Sequence, residues 1–379
     1  MTSNRESDRR CFSGIGPLRW SYPVTMGKSV ALIFSLVCAL WSGAAQAQSA
    51  YITGSELNLI DVTTNTLAAN LPSISGFAIA RSPDGAKLYV SKGSTTGIDV
   101  IDTATNSVVY SIATPEKSYG IAISPDGTKL YATQFVLGGQ VLVIDTASNS
   151  ITATWSLGSS STYGIGLSPD GAVAYVSSYS GNGLYVVNTT NGNLVATVPM
   201  GVLTTNLAVS PDGSRVYVNN FISNNVSVLD TTTNSVVATV AIVGGPIGID
   251  VTPDGSRVYV SVRNSGTVAV IDAATPSFTS SIPVGSGPAG VRVSTDGSTV
   301  LVANRTSRTV SVIRTATNTV VATIAVSGVP DFIGPFTVPA VAVPSLSFYA
   351  LIALGLLLGS VALSRIRVTS NGHGPPPAV

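Results

Sequence analysis

The chain has 379 residues, of which 45% are hydrophobic and only 10% charged, with 37 Gly and 21 Pro. A soluble domain usually carries about 25% charged residues, so this composition excludes a long coiled coil or a disordered acidic tail and leaves a turn-rich, all-β chain with an apolar addition. The net charge of +1 supplies no general basic field to hold nucleic acid.

At the amino end, Lys28 precedes the apolar run 30–41, and Ala45-Gln46-Ala47 follows it. A positive n-region, an apolar h-region and small residues at a cleavage site are the order of a secretory signal peptide. Residues 1–47 are therefore expected to be a signal peptide with a long n-region. Met26 is a candidate true start, and the mature chain is expected to begin near Gln48.

From residue 48 a period of about 42 residues takes over. Pro-Asp-Gly recurs with its Asp at 84, 126, 170, 212 and 254, and Thr-Asp-Gly adds 296. A second anchor of the form hydrophobic-Asp-Thr falls at Asp61, Asp102, Asp145, Asn188, Asp230, Asp272 and Arg314. Two independent anchors in one period define a repeat, and that settles the architecture before any local reading. Each repeat reads as four short strands, for example 248–251, 257–261, 267–271 and 278–284, from the alternation of Val, Ile and Tyr with small polar residues. The Pro-Asp-Gly between the first two strands is a turn: Pro presets φ, Asp bonds local backbone, and Gly takes the left-handed position. Asp102–Asn106, Asp-Thr-Ala-Thr-Asn, does the same between the third and fourth.

Four strands in about 42 residues make one propeller blade. Second strands marked by Tyr51, Tyr89, Tyr131, Tyr175, Tyr217, Tyr259 and Leu301 count seven, whereas first strands count only six. The seventh is expected over 330–336, because Pro330 continues the spacing of Pro246 and Pro288. The amino end of the repeat region then supplies three strands of one blade and the carboxyl end its innermost strand. The expected fold is an all-β, seven-bladed β-propeller over 48–336. Leu88-Tyr89-Val90-Ser91, Val216-Tyr217-Val218-Asn219 and Val258-Tyr259-Val260-Ser261, with the recurring Val-Ile-Asp-Thr-Ala-Thr-Asn pattern, resemble the Tyr-Val-Thr-Asn (YVTN) family of β-propeller repeats. The resemblance implies the propeller fold and a likeness to surface-layer and periplasmic propellers. Thr295 in place of Pro and Arg314 in place of Asp suggest weaker turns near the closure.

Beyond a linker and motif at 337–345, the stretch 346–363 contains no charge, and Arg365 and Arg367 follow it. A run of 18 residues is a membrane-span candidate, and flanking arginines favour a cytoplasmic carboxyl end. The expected segments are a transmembrane helix over 346–364 and a basic, Pro-rich tail over 365–379. Val343-Pro344-Ser345-Leu346-Ser347 resembles the IPTL-CTERM class of bacterial sorting signals. That resemblance implies an exosortase-like processing enzyme as a partner, with the span as a transient or permanent anchor. A plain single-span anchor is the alternative.

The two cysteines, Cys11 and Cys38, precede the expected cleavage, and the one histidine, His373, follows the span. A mature ectodomain without Cys or His cannot host a Ser-His-Asp triad, a thiol nucleophile, a His/Cys zinc site or imidazole ligation of haem or copper. Of sixteen carboxylates in 48–343, eleven occupy the repeat turns, leaving Glu56, Asp99, Glu116, Asp250 and Asp331 off-pattern. With twelve Lys/Arg the same span carries net −4. Asp-x-Asp-x-Asp spacing and glycine-rich phosphate loops are absent from the sequence, so no metal and no cofactor is expected.

In a propeller the two regular turns share one face, and the loops that vary between repeats share the other, where recognition is usually built. Seven residues before each turn Asp stand Phe77, Tyr119, Tyr163, Thr205, Ile247, Ala289 and, by extension, Asp331; nine after it stand Gly93, Phe135, Tyr179, Phe221, Arg263 and Arg305. The candidate site on the variable face is an aromatic arc of Tyr119, Phe135, Tyr163, Tyr179 and Phe221 beside a cationic arc of Arg263 and Arg305. Packing of these rings between blades is the competing structural reading. Four residues before the turn Asp, Asp250 and Arg292 break a series of small residues and are expected to form a cross-blade ion pair near the channel. The expected function is an exported, envelope-associated binding or surface-structural module in the periplasm or at the cell surface. Its expected partners are a protein or cell-envelope glycan, with the membrane contacted through the carboxyl-terminal helix. The alternative, by fold analogy, is a lactonase-like hydrolase with a carboxylate- or metal-based site in the channel.

Overall fold

The alternating runs of Val, Ile and Tyr form strands, and the Gly- and Asn-containing segments between them form the turns. A computed structural model describes residues 48–336 apart from positions 159 and 182. The expected signal peptide (1–47), linker (337–345), transmembrane helix (346–364) and tail (365–379) lie outside the described residues. Among the described residues, no helix is long and apolar enough to cross a membrane. Seven antiparallel four-stranded sheets make up the fold. A representative blade runs, from innermost to outermost strand, through Pro246–Val251, Arg257–Val262, Thr267–Asp272 and Ser277–Pro283. The closing blade has the order Pro330–Ile333, Ser49–Gly54, Leu57–Asp61, Thr66–Leu71. Both ends of the repeat region share it, and the innermost strand is shorter than the 330–336 that the spacing suggests.

The two middle strands of each blade are buried on both faces, because every sheet is covered by a neighbour on each side. Val226, Val228 and Val240 pack on Val258, Val260 and Ile249 of the next blade. Ring closure repeats the pattern: Leu301, Val310 and Ile324 of the last complete blade pack on Ile52, Ile60 and Ile333. Tyr51 and Leu57 of the closing blade pack in turn on Leu88, Val90 and Ile101. Burying a side chain of this size stabilises by roughly 1.5–3 kcal/mol. The recurring tyrosines lie in these inter-blade layers, all at 3% exposure or less. The Tyr51 hydroxyl donates to Asn106 Oδ1 at 2.5 Å and that of Tyr259 to Asn318 Oδ1 at 2.8 Å, each in the following blade. Outer strands carry the exposed apolar residues, such as Val109 and Val195. A bulge between the third and fourth strands recurs in all seven blades, as at Val270/Ile271, and increases the local twist.

The turn anchors bond as their composition predicts. Ser82 Oγ donates to Asp84 Oδ1 (2.5 Å), which also accepts from the Ala86 N–H (3.0 Å), while Ser82 Oγ accepts from the Lys87 N–H (2.9 Å). Asp102 Oδ1 accepts from the N–H groups of Ala104 and Thr105, and Asn106 takes φ 53°. Thr103 Oγ1 donates to Gly85 O at 2.8 Å and so ties the two turns of one blade together. The turn glycine also seats the neighbouring blade. A Cβ at Gly171 would lie 2.7 Å from Pro125 Cδ, and Gly171 itself has φ 72°. The Thr295 turn keeps the same bonds, with Ser294 Oγ and the Ser298 N–H on Asp296 Oδ1. At Arg314 the capping carboxylate is absent, and Thr315 Oγ1 still donates to Gly297 O at 2.7 Å.

These bonds hold the turn carboxylates below their usual range. For Asp84, Asp126, Asp170, Asp212 and Asp254 the leading cause is the bond from the preceding Ser or Thr hydroxyl. For Asp102, Asp145, Asp230 and Asp272 it is a backbone N–H. At Asp296 burial works upward, but the hydrogen bonds outweigh it. A carboxyl whose pKa is depressed on folding contributes stability that is present above its unfolded pKa and lost as pH falls through the folded value. Asp250 and Asp331, raised by burial, act in the opposite sense but are two against ten. The melting temperature is therefore expected to be level from about pH 7 to 5 and to fall below about pH 4. Melts recorded across that range check it, and a constant value down to about pH 3 would contradict it.

Candidate functional site

The inner strands run so that the residue seven before each turn Asp lies at the channel mouth on the variable face. Its position is fixed by polar bridges between blades. Thr53 Oγ1 donates to Phe77 O (2.9 Å), Thr133 Oγ1 to Tyr163 O (2.6 Å) and Ser177 Oγ to Thr205 O (2.5 Å), and Ser261 Oγ bonds Ala289 O. In the blade where Asn219 replaces this Ser or Thr, Asn206 Nδ2 reaches Ile247 O at 2.9 Å instead. The close approach of inner strands requires small residues. A Cβ on Gly120, Gly164 or Gly290 would lie under 3.0 Å from a backbone oxygen of the next blade. These glycines line a channel cavity of about 120 Å³, with Ala78, Asn206 and Phe332 in the equivalent positions.

Above the channel lies an open bowl of about 720 Å³, lined by Phe77, Tyr119, Phe135, Tyr163 and Tyr179 together with Lys92, Arg305 and Asp331. The rings touch across blades. Phe77 meets Tyr119 edge-on at 4.7 Å and Phe332 at 4.5 Å; Tyr119 and Tyr163 stack at 5.4 Å, and Tyr163 and Tyr179 at 5.3 Å with 20° between planes. Phe135 closes the group on Tyr119 (4.6 Å) and Tyr179 (5.4 Å). Except for buried Tyr163 the rings are half-buried. They spend part of their surface on one another and leave part facing the bowl.

Phe221 stands apart from this cluster. Its ring packs at Gly245, where an added Cβ would meet it at 2.8 Å. Arg305 lies at the bowl, its Nε 3.2 Å from Asp331 Oδ1. Arg263 does not line the cavity, but its charge acts on Asp331 and Tyr163. Burial raises the Asp331 carboxyl, opposed by Arg305 and then Arg263. Burial also raises the Tyr163 phenol, reinforced by Tyr179, Tyr119 and Asp331. Arg292 Nε lies 3.6 Å from Asp250 Oδ2, which also accepts the Val293 N–H at 2.8 Å, so both partners bridge adjacent inner strands. Burial raises Asp250, and Arg292 opposes it. Off-pattern Asp99 binds Lys92 Nζ at 3.1 Å and accepts from Ser111 Oγ at 2.6 Å. Among the described residues, no group of three or more His, Cys, Asp or Glu side chains is placed to hold a metal ion.

The candidate arcs omit Phe77, Phe332 and Lys92. Phe77 shares the register of Tyr119 and Tyr163, a signal present in the sequence. Phe332 falls on the register of Gly248 and Gly290, and Lys92 has no anchor, so neither position announces itself.

A family model described as a YNCE-like β-propeller matches residues 183–293 and 258–338. No curated protein matches the sequence. Among solved structures, the chain is similar to a functionally unknown protein from Desulfotomaculum acetoxidans DSM 771, at 19% identity and TM-score 0.65, over 76% of this chain and 98% of that one. It is also similar to Kuenenia stuttgartiensis hydrazine synthase, at 22% identity and TM-score 0.47, over 64% of this chain and 96% of that one. The likeness to the Desulfotomaculum protein concerns the fold alone. Seven blades and the family match together make this chain a β-propeller repeat protein.

Proposed function

We propose that this propeller is a recognition module that binds a glycan or a protein segment in the aromatic bowl on its variable face. The observation that carries the reading is the convergence of rings from several blades around an open cavity of about 720 Å³, with an ion pair at its edge. Aromatic and Arg side chains on a rigid frame are the groups that dominate recognition surfaces. The frame is held here because Phe77 and Tyr163 are bonded through their backbone carbonyls to the preceding blade, while the Phe135 and Tyr179 N–H groups bond within their own blades. The regular turns of the opposite face bond chiefly within themselves and to the other turn of the same blade, as Thr103 Oγ1 does to Gly85 O.

Export and envelope attachment belong to the same proposal. They rest on the sequence of 1–47 and 337–379, and mass spectrometry of the mature termini tests them. Binding is tested with purified protein and solubilised cell-envelope material. The double replacement Phe135→Ala with Tyr179→Ala is expected to weaken capture by about tenfold or more, in line with the loss of two anchor side chains. Unchanged capture by the variant, with its fold intact by circular dichroism, would remove the reading.

A further inference from the structure

The bowl is the face that meets a partner; the places where the chain leaves the ring fix the side from which that partner comes. We propose that the regular-turn face is tethered to the membrane and that the bowl faces away from it. The partner of the bowl then approaches from beyond the bilayer and is not a lipid headgroup. This inference rests on the envelope attachment and the recognition reading proposed above, and it narrows both.

Both ends of the described chain lie on the regular-turn face. Inner strands run from the variable face to the turn face, where Pro-Asp-Gly or Thr-Asp-Gly leads each back into its second strand. In the closing blade the inner strand Pro330–Ile333 runs the same way, antiparallel to Ser49–Gly54, but Gly334-Pro335-Phe336 follows it in place of that turn. The Gly334 N–H donates to Tyr51 O at 2.8 Å. Phe336 is buried beside Ile333, and its carbonyl oxygen accepts from Arg81 Nη1 at 3.4 Å. Arg81 stands against the Ser82–Gly85 turn, with Nη2 in the space that a Cβ on Gly85 would take. At the other end, the Val62 N–H donates to Gln48 O at 2.8 Å beside the Asp61 turn. Gln48 Nε2 donates to Asp296 Oδ2 at 3.2 Å, in a turn of the neighbouring blade.

Reach decides the side. Residues 337–345 separate Phe336 from the uncharged run 346–363, and even fully extended a linker of that length spans only about 30 Å. The polar headgroup layer takes about 5–7 Å of it. To set the bowl on the lipid, the linker would have to cross the turn face from the channel to the rim and then climb the ring. Four strands abreast and one strand length make that path about 35 Å before turns and side chains are added. The shorter route, back through the channel, is closed. Its cavity is only about 120 Å³, and the inner strands already meet at Gly120, Gly164 and Gly290. The tether therefore lets the propeller tilt but not invert, and the bowl opens to the space beyond the lipid.

The test places one cysteine on each face of the same blade in the full chain. Ala104→Cys lies on a regular turn and Thr95→Cys in the loop that carries Lys92, both at exposed positions. Cys11 and Cys38 precede the expected cleavage, so the mature protein brings no competing thiol. Each variant is labelled with a donor dye and reconstituted in phosphatidylcholine vesicles that carry an acceptor lipid. Energy transfer is expected to be severalfold stronger from position 104 than from position 95. Inserting about twenty Gly/Ser residues after Ser345 is expected to remove most of that difference, because the longer linker can reach round the ring. Equal transfer from the two positions, stronger transfer from 95, or a difference untouched by the insertion overturns the inference. So does a mature protein that does not enter the vesicles; if its envelope capture still depends on Phe135 and Tyr179, the recognition reading stands. If capture is indifferent to those rings while transfer stays stronger from 104, the recognition reading fails and the tethered side stands.

Discussion

Gly248→Val is expected to lower the melting temperature by about 5–10 °C, equivalent to roughly 3 kcal/mol in a domain of this size. Gly248 lies in the strand Pro246–Val251 with no need of an unusual backbone angle; what it supplies is space. A Cβ there would overlap the carbonyl oxygen of Ala289 in the next blade and come within 2.9 Å of Ser261 Oγ and of Val291 N. Two of these atoms are backbone and cannot swing aside. The third is the hydroxyl that accepts the Gly248 N–H at 2.8 Å and bonds Ala289 O. The substitution therefore pushes two inner strands apart and breaks the bridge between them. Gly290 is in the same position, with Asp331 O and Phe332 Cα each 2.7 Å from the added atom, so its displacement would also reach the bowl. Val243, 80% exposed, is the control: Val243→Ala is expected to change stability by less than about 0.5 kcal/mol. A Gly248→Val protein that melts within about 1 °C of the parent would show that the inner ring is looser than described.

The double replacement Ile333→Ala with Phe336→Ala is expected to cost about 4–6 kcal/mol, the largest effect of any change considered. Each side chain is nearly inaccessible, at 7% and 2% exposure, and truncating a buried Ile or Phe ordinarily costs about 2–5 kcal/mol. The two share one cluster with Ile52, Ile60 and Leu301, so their effects couple rather than add. The location magnifies the damage. The innermost strand of the closing blade is only Pro330–Ile333, paired to Ser49–Gly54 through Ile52↔Ile333, Thr53↔Phe332 and Gly54↔Pro330. The Gly334 N–H extends it to Tyr51 O at 2.8 Å. Few ladder bonds hold the ring shut, and side-chain burial supplies most of the closure. Urea unfolding at equilibrium measures the loss, and a cost under about 1 kcal/mol would mean that the ring does not depend on this strand.

The blades, their number and the shared closing sheet were all legible in the spacing of two turn anchors. The reason is local. Ser82, Asp84 and Gly85 bond within a few residues of one another, so a turn is written in contiguous sequence and repeats wherever its residues repeat. Register added the face on which Tyr119, Phe135, Tyr163, Tyr179 and Arg305 meet, because a fixed period places equivalent residues at equivalent heights. It did not separate Phe221, whose spacing equals that of Phe135 but whose ring finds Gly245 instead of another aromatic.

What the chain alone determined is therefore the unit and its multiplicity: short strands, bonded turns, seven sheets closed by their two ends. Tertiary structure decided the content of the bowl. Phe332 reaches Phe77, and Asp331 reaches Arg305, only because closure carries the last strand round to the first, bringing together residues that no local bond connects. Which ring then packs on a neighbour and which faces the cavity depends on the width left by Gly120, Gly164 and their equivalents, a property of inter-blade distance that periodicity does not encode.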